Sequence, residues 1–493
     1  MTQGTIDLLK AKKLCHRCVG ENYLSMEIES KGEPLECSYC NRTANSYRIG
    51  EVAKLVEIAF NHHYKLTPAQ PNSLEYSLQC DKELGYEWKR NGEPVVDAIM
   101  NAADLPEAAA EDVQRILADQ YLDTHKAKIG EETEFCAGSY YEENGASGQS
   151  WQEEWYGFEK SLKTEARFFS RTAARHLASV FSGIETMRTR DDQPLILEAG
   201  PGTPLKTIYR ARVFQSDKML EEAIGRPDLH LGPPPAMLAS AGRMNAHGIS
   251  VFYGANDPKV AIAEVRPPVG SKVAVARFEI VRSLRLLDLR ALNAACIKGS
   301  IFDPQYADRL EHAAFLSLLC QHITKPVMPD DAALDYLPTQ AVADFLATEA
   351  EILLDGIIFP SVQFGDDELN VALFNKAARV EMMDIPSGTE ISTRTGQNGE
   401  DGWEVEYSVI EQVPPPKDAS DEEITADYWL NMSALFNAED LPLDYDDRAV
   451  SLRIMLDTVE VHIVQPMKFP IPTEAHSVRR HRLEKREYKF QSF

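Results

Sequence analysis

Four cysteines near the start of the chain, in the pairs Cys15-His16-Arg17-Cys18 and Cys37-Ser38-Tyr39-Cys40, constrain the fold more than any other feature. Their pattern is C-x2-C-x18-C-x2-C, and a two-residue spacer lets both thiolates of a pair face one ion. Zinc takes four such soft ligands in a tetrahedron. Residues 1–45 are therefore expected to form a ribbon of hairpins around one structural zinc per chain, held by Cys15, Cys18, Cys37 and Cys40. Four thiolates close the coordination sphere and leave no position for a catalytic water. His16 is expected to be a bystander, and a redox dithiol is the competing reading of the pairs. Cys80, Cys136, Cys296 and Cys320 stand singly. A secreted disulfide framework would be denser, so these read as small buried hydrophobes.

A chain of 493 residues corresponds to about three domains. Its 51 basic and 77 acidic side chains leave a formal charge of −26. That balance repels phosphate backbones and anionic membranes, so nucleic acid is not expected among its partners. A hydrophobic share of 44% excludes a mostly disordered chain. No run approaches the ~18 apolar residues of a membrane span, and MTQGTIDLLKAKKLCHRC has no apolar leader core. A soluble, cytoplasmic protein with no membrane partner is expected.

Residues 46–196 carry helical periodicity. Ile49, Val52, Leu55, Val56, Ala59 and Phe60 share one face; VVDAIMNA and EDVQRILADQYL follow; a last helix over about 153–187 spaces Phe158, Leu162, Phe169, Ala173, Leu177, Val180 and Ile184. The turn-rich LEAGPGTP at 197–204 marks a boundary. Over 205–390 the pattern changes to the strands KTIYRARVF, ISVFYGA, SKVAVARFEI, LDGIIFPSV, NVALFN and RVEMMDI, with helices at about 258–265, 304–322 and 339–353. Few helices between strands point to an α+β domain, a mixed β-sandwich with helices, rather than a doubly wound sheet. Residues 391–493 stay unassigned: a stiff PPP at 414–416, ten acids and no Lys or Arg over 418–447, and a basic tail, SVRRHRLEKREYK.

Four pieces of the third segment carry candidate chemistry. Arg210 and Arg212 lie two apart in a strand and share a face, where their forked donors suit a phosphate or diphosphate; two solvent-facing arginines are the bland alternative. In GRMNAHG, Gly242 and Gly248 permit positive φ and close approach around Arg243 and Asn245, although a plain turn would do the same. In NDPKVAIAEV, Asp257 caps a helix that Pro258 opens. Glu264 falls at its end, against the helix dipole. Ser361 follows Pro360 where a buried strand breaks, without the G-x-S-x-G elbow of a hydrolase nucleophile.

Together YRARVF, the GRMN-x2-G turn before VFYGA, AIAEV and DGIIFPS resemble the RES domain, named for its Arg, Glu and Ser residues, in the family's order. Met244 stands where the family turn more often has Trp. Residues 1–190 resemble the N-terminal domain found fused to RES or HEPN toxin modules. The resemblance implies a fold similar to diphtheria-type ADP-ribosyltransferases and degradation of NAD+. The acceptor it implies is phosphate as co-substrate, giving ADP-ribose 1″-phosphate, in a bacterial toxin or defence effector partnered by an antitoxin or neighbouring defence protein. It places catalytic roles on Arg210, Glu264 and Ser361, with Arg212 as runner-up for the first arginine. Substrate binding falls to Arg212, Arg243 and Tyr253. The alternatives are an ADP-ribosyltransferase acting on a macromolecule and a catalytically inactive binding module.

Overall fold

The computed structural model describes residues 3–81, 85–123, 131–167, 169–325, 327–328, 330–351, 353–361, 365–399, 402–413 and 446–465. The PPP segment, all but the end of the acidic stretch and the basic tail lie outside the described residues.

The N-terminal body grows from the cysteine pairs. Strands β1 (Lys13–Cys15), β2 (Glu33–Glu36) and β3 (Thr43–Arg48) form an antiparallel sheet in the order β1-β3-β2. Between the pairs the chain folds as a helix, Asn22–Lys31, in place of the expected plain hairpin. Glu21 caps it by accepting from the Leu24 amide, and Leu24 and Ile28 are its buried face. That face shares one core with the helices Ile49–His63, Val95–Ala103 and Glu107–Gln120. A small sheet of β4 (Tyr64–Leu66), β5 (Glu93–Pro94) and β6 (Tyr140–Glu143) closes the body.

The expected long helix over 153–187 is two helices, Gln149–Thr164 and Arg171–Val180. Ser170 starts the second by accepting from the Ala173 amide, and Phe169, expected on the apolar face, lies in the break and is 96% exposed. Both helices pack on the second body, beside Tyr306–Thr324 and Leu337–Thr348.

That second body is α+β and is built on one curled sheet. Its strands are β8 (Ile196–Ala199), β9 (Thr207–Phe214), β10 (Phe252–Ala255), β11 (Lys272–Ile280), β12 (Leu284–Asp288), β14 (Gly356–Ser361), β15 (Gly365–Leu373), β20 (Leu452–Ile454) and β21 (Glu460–Ile463). Their order is β20-β11-β9-β10-β15-β14-β12-β8, with β21 also on β11. Short pairs lie outside it: β7 (Arg188–Thr189) with β13 (Ala295–Cys296), β16 (Glu390–Arg394) with β19 (Ser408–Gln412), and β17 (Gln397–Gly399) with β18 (Gly402–Glu404). Side-chain alternation sends Ile357 and Ala372 into the helical core and Ile358, Val371 and Leu373 into the core on the other face. RVEMMDI makes a single bridge, Val380 to Leu452, instead of a strand. Asp228 accepts the Met383 amide there, at 3.0 Å, so no ladder continues.

One irregularity positions the site. β9 pairs with β11 along its whole length but meets β10 at one position, Tyr209 opposite Ala255. The two strands part beyond it. Helix Pro258–Glu264 packs beside the parting through Val260 and Ala261, against Ala211, Ala255, Val273 and Val275.

Candidate active site

A cleft of about 280 Å³ opens where β9 and β10 part, lined by Arg210, Ala211, Tyr253, Gly254, Ala261, Glu264, Val265, Phe359 and Asn370. Helix Pro258–Glu264 begins as its sequence dictates, with the Asp257 carboxylate accepting from the Lys259 amide at 2.7 Å and Pro258 in the first turn. Glu264 is its last residue and is exposed. Two side-chain donors offset the unfavourable end of the helix dipole there. Ser361 Oγ donates to Glu264 Oε1 at 3.0 Å and Asn370 Nδ2 donates to the same oxygen at 2.8 Å. Ser361 arrives by way of a register shift between Pro360 and Ser361, at the strand break read from the sequence.

Arg210 reaches across the parting. Its Nη1 donates to the Tyr253 carbonyl at 2.9 Å, and its guanidinium lies 5.0 Å from the Phe252 ring centre. Burial, with the nearby charge of Arg212, pulls it down to about 10, which leaves it a cation at neutral pH. Its Nε is buried without a protein partner. Tyr253 faces the cleft with its hydroxyl already engaged: it donates to Asn245 Oδ1 at 2.8 Å and accepts from the Met244 amide at 3.0 Å. Burial pushes that hydroxyl up to about 12.

Arg210, Tyr253, Glu264 and Ser361 thus come together. Arg212 and Arg243 do not line the cleft, although Arg243 is close enough to feel the charge of Glu264. Arg212 Nη1 donates to the His230 carbonyl at 2.6 Å. Arg243 donates to the carbonyls of Ile323 and Lys325 at the end of helix Tyr306–Thr324, over the ring of Tyr336. It therefore braces the Gly242–Gly248 turn against that helix. Asn245 organises the turn from within, donating to the carbonyls of Ser240, Ala246 and Ile249. The sequence reading missed Asn370 altogether. Its only local signal is a polar residue between Leu369 and the apolar Val371, Ala372 and Leu373 of β15, and its partner lies 106 residues away.

The cysteine cluster is far simpler. All four Sγ atoms of Cys15, Cys18, Cys37 and Cys40 lie within 4.8 Å of one another. Cys15 is 3.7 Å from Cys18 and 3.6 Å from Cys40, and Cys18 is 3.9 Å from Cys37. Four sulfurs ~2.3 Å from a tetrahedral centre stand about 3.8 Å apart, so the set fits one zinc ion. His16 is outside it, its Nδ1 against the Asn45 carbonyl at 3.2 Å.

Residues 208–392 match the family model of the RES domain. No curated protein and no solved structure matches the chain. No helix among the described residues is long and apolar enough to cross a membrane.

Proposed function

We propose, for a chain that carries a RES domain at residues 208–392, that it degrades NAD+ by breaking the nicotinamide–ribose bond. The observation that carries the reading is Glu264, held by Ser361 and Asn370, in a cleft that the Arg210 cation also lines. As the bond breaks, its electron pair leaves with neutral nicotinamide and positive charge develops on the ribose, as in glycoside cleavage. Glu264 stabilises that charge. Arg210 grips the diphosphate, and the Tyr253 ring, with Phe359, offers the nicotinamide an aromatic surface. An acceptor oxygen then closes the ribose carbon. With phosphate, the products are ADP-ribose 1″-phosphate and nicotinamide.

Phosphate as acceptor is supported by the family resemblance. The arginines favour water as the second reading, because Arg212 and Arg243 are engaged at main-chain carbonyls and Arg210 is the one cation among the described lining residues. Such an activity suits a bacterial toxin or defence effector restrained by a partner protein. The zinc would sit in the ribbon as a structural ion, one per chain, held by Cys15, Cys18, Cys37 and Cys40. The test is to incubate the full chain with NAD+ in phosphate and in a non-phosphate buffer and resolve the products by mass spectrometry. ADP-ribose 1″-phosphate formed at a rate that saturates with phosphate supports phosphorolysis. Plain ADP-ribose at equal rates means hydrolysis, and intact NAD+ overturns the reading.

A further inference from the structure

Glu264 sits on the exposed last turn of a seven-residue helix, and a free glutamate there would sample several rotamers. It is instead gripped at one oxygen. Both donors, Ser361 Oγ and Asn370 Nδ2, converge on Oε1. Asn370 is well suited to hold a neighbour still. It lies in the interior strand β15, opposite Ala255 on one side and Phe359 on the other, and is 5% exposed. Its Oδ1 is buried without a protein partner, a polar atom kept at a cost that an apolar side chain of similar size would avoid.

We propose that Asn370 is a positioning residue: its carboxamide, with the Ser361 hydroxyl, clamps Oε1 of Glu264 so that the second carboxylate oxygen is the one presented to the ligand. Asn370 lines the cleft beside Glu264. Its effect on catalysis passes through Glu264, and in this it rests on the NAD+ reading above. The other ionisable groups among the described lining residues are Arg210 and Tyr253, and Arg243, engaged at the carbonyls of Ile323 and Lys325, lies within electrostatic reach of Glu264. A misplacement of about 1 Å in a catalytic group can cost ~10²-fold in rate. Loss of the clamp should therefore lower kcat and leave the ground-state grip on NAD+ nearly intact.

The experiment measures kcat and KM for NAD+ across pH for the full-length wild type, Asn370→Ala, Asn370→Asp and Ser361→Ala, each checked for a wild-type unfolding transition. Asn370→Ala is expected to lower kcat by roughly 10–100-fold with KM within about threefold. Asn370→Asp keeps the shape but sets a second carboxylate against Glu264, and two carboxylates that close share a proton. Its activity should recover as pH falls and the shared proton restores the hydrogen bond; the alanine variant should show no such recovery. Wild-type kcat in Asn370→Ala, or identical pH profiles for the alanine and aspartate variants, overturns the proposal. A wild type that leaves NAD+ intact removes the activity reading instead. The clamp is then judged from the melting temperatures of Asn370→Ala, Glu264→Ala and the double variant: losses smaller than additive sustain it, and additive losses overturn it.

Discussion

Glu264→Gln is the sharpest residue-level test, because glutamine keeps an oxygen for Ser361 and Asn370 and removes only the charge. Turnover of NAD+ should fall about 10²–10³-fold, the ~2.7–4 kcal/mol of one lost transition-state contact, with KM little changed. Arg210→Ala should act mainly on KM, since the diphosphate is already present in the ground state. Steady-state kinetics of the two purified variants separates the roles, and wild-type turnover by Glu264→Gln would remove that residue from the chemistry. Sequence pattern exposed these two residues because each announces itself locally: one carboxylate against a helix dipole, one pair of arginines on a strand face. The same pattern could not say which arginine meets the cleft. Arg212 and Arg243 find carbonyl partners in His230, Ile323 and Lys325, and those contacts exist only once the chain has folded. Asn370 was invisible for the converse reason, as its one distinguishing partner is remote in sequence.

Elements with local punctuation were readable to within a few residues. Helix Pro258–Glu264 starts at its Asp-Pro cap, and β9 and β11 follow their alternating runs. Elements defined by what they pack against were not. One apparent helix is two because Ser170 caps a new start, and RVEMMDI finds a bridge and a side-chain acceptor in place of a strand partner. The glycines of the Gly242–Gly248 turn show both outcomes. Gly248 adopts φ +85°, the conformation read from the sequence. Gly242 is required for another reason: a Cβ there would lie 2.7 Å from the Tyr253 hydroxyl and 2.6 Å from Asn245 Oδ1. Gly242→Ala should therefore break the Tyr253–Asn245 bond and shift the turn. The expected cost is about 1–3 kcal/mol in stability, as for other overpacked sites, with a fall in NAD+ turnover. Urea unfolding alongside the kinetic assay checks both, and an unchanged unfolding midpoint would show that the turn has more room than its geometry indicates.

At the scale of the molecule, the two bodies stand on different foundations. The sheet body is held by large apolar clusters on both faces of one sheet. Its last strands, β20 and β21, come from the C-terminal region, where sequence patterning gave no assignment. The N-terminal body shares one core between the ribbon and three helices, and Phe302 from the second body is inserted into it. Tyr39, between the second pair of cysteines, donates to the buried Asp112 of helix Glu107–Gln120 at 2.9 Å, so the cysteine loops also touch the helices directly. With zinc in the ribbon, its binding would contribute on the order of 10–16 kcal/mol to folding. Removing one ligand should then be felt well beyond residues 1–45. Cys18→Ser is expected to release the metal and to raise amide exchange through the ribbon and on through helices Ile49–His63 and Glu107–Gln120, while β9, β11 and β15 keep their protection. Metal analysis should find about one zinc per wild-type chain and little in the variant, and exchange mapped by mass spectrometry should show the boundary between the bodies. Exchange confined to the ribbon would mean that the helices hold their core without it. A folded, zinc-free wild type would remove the metal from the architecture altogether.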